Sequence, residues 1–135
     1  MGYEILFTDE HREQVLDDFD GSVLESLKKR MDKKQELLNQ VDRRDQACRR
    51  FHKVFTGGES GVTIAEMRFR ANGNKKYRGV FVLVDKADSF VFVQVVEKEN
   101  SYQRSKQEEL VEAIDKNPKE VMDYARDVVL EEMDY

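Results

Sequence analysis

Seven side chains between residues 68 and 102 carry the chemistry that can be read from this chain: Arg68, Arg70, Lys75, Lys76 and Arg78, then Lys98 and Tyr102. The first five are cations within eleven residues, a basic region able to track a phosphate backbone. Arginine and lysine can also neutralise charge that develops on a transferring phosphoryl group, while an ammonium or a phenol can exchange a proton with it. Tyr102 would serve only with cations beside it, because a phenol titrating near 10 is about a thousandfold too protonated at neutral pH.

Other reactive residue types are sparse. Cys48 is the single cysteine, so no internal disulfide and no thiolate cluster can form within the chain. His11 and His52 have no partner at ligand spacing, and neither a metal site nor a cofactor is expected. His52 stands alone in the sequence and is given no catalytic role. The run Arg43, Arg44, Arg49 and Arg50 reads as a solvated helix face. TGGESG, residues 56–61, lacks the Gly-Lys-Ser/Thr ending of a phosphate loop and reads as a connection.

The seven residues need a sheet to position them. In VTIAEMRFRA, period two puts Ala65, Met67 and Phe69 on one face and Glu66, Arg68 and Arg70 on the other. After the turn ANGNKK, the run Tyr77 to Val84 is apolar on both faces and reads as an interior strand; DKADS closes a hairpin, and Phe90 to Val96 is the last strand. If these two strands are antiparallel, the start of one lies beside the end of the other, so Arg78 and Lys98 converge across twenty positions of sequence.

Before this meander, YEILFT reads as a short strand, and Thr8-Asp9-Glu10 as a helix start with Val15, Leu16 and Phe19 turned inward. Ser22-Val23-Leu24-Glu25 has the form of a capping box for a second helix carrying Leu24, Leu27, Met31, Leu38 and Val41, so the two helices make a hairpin on one face of the sheet. Ser105 to Glu108 is another such box, and Asn117-Pro118 opens a last helix with proline at its first position. Leu24, Leu27, Phe81, Val82, Phe92 and Val93 are the expected core. The fold class is α+β: strand, helical hairpin, three-strand antiparallel meander, C-terminal helices.

A length of 135 residues predicts one domain. The net charge of −5 is uneven, since residues 106–135 hold ten acidic side chains against four basic ones. Any basic surface must therefore lie on the body. No uncharged run approaches eighteen residues and the N-terminus lacks the order of a signal peptide, which predicts a cytoplasmic protein with no membrane contact.

The order of elements, with "I-x-E-x-R" at Ile64 to Arg68 and the later Tyr77-Arg78 followed by Phe81, resembles the RelE/ParE superfamily of type II toxins, in its RelE/HigB-like branch. The resemblance spans roughly residues 3 to 115; it makes residues 42–61 an insertion and residues 105–135 an acidic helical extension of a single domain, 1–135. It implies a metal-independent endoribonuclease, an mRNA interferase acting in some members on the ribosome, held in check by a cognate antitoxin. Carried over, Arg78 contacts the scissile phosphate, Lys98 and Tyr102 belong to the segment that supplies a basic residue and a tyrosine, and Arg68 and Arg70 bind the RNA backbone with Lys75 and Lys76 beside them. The acidic extension would either lie near the basic strand face, sharing the role of an antitoxin segment, or project away and bind a separate partner. The alternative is a non-catalytic relative that binds protein or regulates. The sequence leaves the oligomeric state open.

Overall fold

The computed structural model describes residues 2–57, 61–98 and 106–133. Strand β1 (Glu4–Leu6) leads into helices α1 (Asp9–Asp18) and α2 (Gly21–Leu38), then a short helix α3 (Arg44–Cys48) and strand β2 (Lys53–Thr56). Strands β3 (Thr63–Ala71), β4 (Lys75–Val84) and β5 (Ser89–Glu97) precede helices α4 (Lys106–Lys116) and α5 (Pro118–Met133). The fold is α+β, with one five-stranded sheet of order β1-β5-β4-β3-β2, antiparallel except where β1 runs parallel to β5. The expected meander is its centre; β1 and β2 are short edges.

Local chemistry sets most of the boundaries. The Thr8 hydroxyl accepts from the His11 N–H at 3.3 Å while the Thr8 N–H donates to His11 Nδ1 at 3.0 Å, a capping box with histidine in the place usually held by Glu or Gln. Helix α2 starts before the expected Ser22 box, because the Asp20 carboxylate already accepts the Val23 N–H at 2.9 Å; an aspartate caps as well as a serine and lies earlier. Between β3 and β4 the chain reverses through Asn72, Gly73 and Asn74, all at positive φ (52°, 75° and 72°), which is why the turn uses the residue types that tolerate the left-handed region. The expected proline start of α5 is found at Pro118.

Alternation divides the strands between two apolar cores. Ala65, Met67 and Phe69 of β3 meet Leu24, Leu27 and Met31 of α2 on one face, joined by Phe81, Phe90 and Phe92. On the other face Ile64, Val80, Val82, Val91 and Val96 meet Ile114 of α4 and Ala125, Val128 and Val129 of α5. The acidic C-terminal segment is therefore a packed layer on the face that also carries Arg68 and Arg78. None of the helices described is long and apolar enough to cross a membrane.

Two expected core positions differ. Leu16 is 40% exposed, since the inner face of α1 is made by His11 and Val15 at i, i+4 and Leu16 lies about 100° round from Val15. Val93 is only half-buried: Val80 opposes Gln94 while Phe81 opposes Phe92, so Val93 is the extra residue of a β-bulge. The segment expected as an insertion contributes to the first core, with Ala47 and Phe51 buried and the Phe51 ring 4.4 Å from that of Phe90. Its strand β2 pairs with β3 from Thr63 to Glu66. A five-residue helix and a four-residue strand are too short to show an apolar period, which is why sequence patterning missed them.

Candidate nucleic-acid interface

Because β2 covers only Thr63 to Glu66, the second half of β3 has no strand on its outer side among the described residues. A cleft of about 610 Å³ opens there. Helix α2 contributes Ser26, Lys29, Arg30 and Lys33, spaced i, i+3, i+4, i+7 and hence on one stripe beside the apolar face that packs on the sheet. Strand β3 contributes Arg68 and Arg70, strand β4 contributes Lys76 and Arg78, and Lys98 and His52 complete the lining. Eight cations meet with no carboxylate among the described lining residues.

The sheet register concentrates this charge. Arg68 stands directly opposite Arg78, and Arg70 opposite Lys76. Like charges on opposed positions destabilise a strand pair, so two such rungs in succession cost the fold something and make sense where an anion lies over them. Lys98 reaches the same end through the bulge: its N–H donates to the Lys76 carbonyl at 2.9 Å, and Val96 is opposite Arg78. Arg78 and Lys98 thus share the end that antiparallel pairing required, and the bulge puts them on one face. Lys75, expected with Lys76, falls on the alternate position of β4 shared with buried Tyr77, and it does not line the cleft. Tyr102 lies outside the described residues.

Arg78 is the cleft's deepest cation, only 5% exposed. Its Nη1 donates to the Tyr77 carbonyl at 3.2 Å, and its Nε has no hydrogen-bond partner among the described residues. Burial pulls its guanidinium below the ordinary arginine range, against the pull of the Glu66 carboxylate. Glu66 is itself fully buried, and desolvation holds its carboxyl above the usual range although Lys53, Arg78 and Lys98 oppose the shift. Period two put Glu66 on the face of Arg68 and Arg70, and on that face its carboxyl is enclosed while Arg68 and Arg70 are exposed.

Two contributions were missed by sequence reasoning. The α2 stripe was legible as Ser26, Lys29, Arg30 and Lys33 at helical spacing, but only its apolar neighbour was read. His52 carried no signal, because it lies sixteen or more residues from every other described lining residue. It is exposed, and its backbone N–H donates to the Glu66 carbonyl at 2.9 Å. Partial desolvation, then the charges of Arg78, Arg68, Lys98 and Lys53, lower its imidazole from the ordinary value. None of Arg43, Arg44, Arg49 and Arg50 lines the cleft; Arg44, read as solvated, bonds Asp85 at 2.6 Å and the Thr63 hydroxyl at 2.6 Å, tying the start of α3 to the sheet. No family model, curated protein or solved structure matches the chain.

Proposed function

We propose that the cleft binds the phosphate backbone of RNA and that the chain is a RelE-like toxin of a type II pair, a metal-independent endoribonuclease cutting messenger RNA by attack of a ribose 2′-hydroxyl on the adjacent phosphate. The observation that carries the reading is the convergence of eight cations from three elements and one strand end, free of carboxylates in the described lining, on a molecule of net charge −5. Positive charge gathered in a concave, partly desolvated site attracts a polyanion far more strongly than the same charges spread over a surface. Arg78, which lines the cleft, is the cation set against the scissile phosphate; Arg68, Arg70 and Lys76 hold the flanking backbone, and Lys98 protonates the leaving 5′-oxygen. The natural inhibitor of such a cleft is an antitoxin presenting an acidic segment.

A second reading, a non-catalytic module of this fold that takes an acidic protein segment in the same cleft, is favoured by the near burial of Arg78. One experiment separates them. Wild-type protein incubated with RNA in chelator is expected to bind with a log–log salt slope of about −0.7 per phosphate engaged and to release ends carrying 2′,3′-cyclic phosphate. Salt-sensitive binding with the RNA left intact would move the chain to the second reading, and absence of binding would remove RNA from the account.

A further inference from the structure

The cleft contains an abundance of acids and electrophiles, but attack by a 2′-hydroxyl also needs a group that takes its proton. The described lining residues narrow this role to one side chain. An arginine is never deprotonated at neutral pH, and a lysine titrating near 10.4 is protonated in all but about one molecule in a thousand. A serine hydroxyl is no base, and Phe69 is buried in the first core. The Glu66 carboxyl is fully buried and does not line the cleft. His52 is the one remaining, an exposed imidazole facing the same space as Arg68, Arg78 and Lys98.

We infer that His52 is the general base of the cleft, accepting the 2′-hydroxyl proton of the ribose whose 3′-phosphate lies against Arg78. The inference rests on the RNA-cleavage reading above. As the proton passes to the imidazole, the 2′-oxygen forms a bond to phosphorus, the bond from phosphorus to the 5′-oxygen breaks, and that oxygen takes a proton from the Lys98 ammonium. The products are a 2′,3′-cyclic phosphate and a 5′-hydroxyl, and both side chains recover their protonation from water. The surroundings suit the role: Arg68 on β3, Arg78 on β4, Lys98 beyond β5 and Lys53 at the start of β2 all bear positive charge toward His52, and Glu66 meets it through its backbone carbonyl. Partial desolvation, with these cations, favours the neutral imidazole, which is the form able to accept a proton. The cations also stabilise the alkoxide as it forms.

The test uses the full chain and an oligodeoxynucleotide containing a single ribose, so that cleavage has one possible site. Wild type is expected to cut after that ribose, with kcat falling on an acid limb below the ordinary imidazole range. His52→Ala should lower kcat by about a hundredfold or more while changing KM little, should lose that limb, and should be partly rescued by added imidazole. Because His52 is exposed, the variant's circular dichroism and urea midpoint should match wild type. An unchanged kcat and acid limb in His52→Ala would overturn the assignment of the base while leaving RNA cleavage intact. A folded wild type that binds the oligonucleotide without cutting it would overturn both.

Discussion

Replacing His11 with glutamine should remove a pH dependence of stability whose size follows from the structure. His11 is 3% exposed, held between the Thr8 N–H at Nδ1 and the Tyr124 hydroxyl at Nε2. Since Nδ1 accepts, the neutral ring carries its proton on Nε2 and donates it to Tyr124, whose hydroxyl donates to the Phe92 carbonyl at 3.0 Å. The chain links α1 on one face of the sheet to α5 on the other, at the part of the β5 edge that β1 leaves open. Protonating Nδ1 would set two donors against each other and place a charge in an apolar surround, so burial lowers the His11 pKa from 6.5 to about 4. The unfolded chain, titrating near 6.5, then binds more protons than the folded one between these values. The stabilising contribution is complete above pH 6.5 and is lost as pH falls through 4. Linkage gives a loss of ~2 kcal/mol between pH 7 and pH 5, approaching ~3.4 kcal/mol below pH 4.

Urea unfolding followed by circular dichroism at pH 7, 6 and 5 measures this directly. Glutamine at position 11 keeps an acceptor for the Thr8 N–H, as in an ordinary capping box, but does not titrate. His11→Gln should be less stable than wild type at pH 7, having lost the link to Tyr124, yet should lose ~2 kcal/mol less on going to pH 5. Glu66 works in the opposite sense, because a carboxyl raised by burial gains stability as pH falls, but it is common to both proteins and cancels. Parallel pH dependences would refute the reasoning, since they would mean that His11 titrates alike in the folded and unfolded states.

Asp20→Ala removes the side-chain acceptor at the start of α2 and should cost about 1 kcal/mol in urea unfolding, with a smaller loss for Asp20→Asn. Arg78→Lys keeps a charge but not the guanidinium fork; RNA affinity should hold within a fewfold while cleavage falls by about a hundredfold, measured as kcat on the single-ribose substrate. Deleting residues 118–135 uncovers the face packed by Ala125, Val128 and Val129, so the truncated chain should unfold at markedly lower urea. A truncated chain as stable as wild type, with RNA affinity raised at low salt, would instead make the C-terminal segment an electrostatic cover.

The sequence by itself determined whatever depends on a few neighbouring residues. Period two put Arg68 and Arg70 on the face away from Met67 and Phe69; Asn72-Gly73-Asn74 specified the reversal into β4; Thr8 and Pro118 marked helix starts. These are matters of backbone preference and side-chain alternation, written within one or two turns of chain. The tertiary structure decided the site. Without the bulge at Val93, β5 would keep the pairing in which Phe81 faces Phe92, and Lys98 would emerge on the opposite face from Arg78; one extra residue reverses that phase. The shortness of β2, the placing of the α2 stripe beside the uncovered half of β3, the enclosure of Glu66 and Arg78, and the arrival of His52 at the cleft all depend on how separate segments pack. No local pattern encodes these, because a lone charged or titratable residue has no period, and its environment is set by groups far away in sequence.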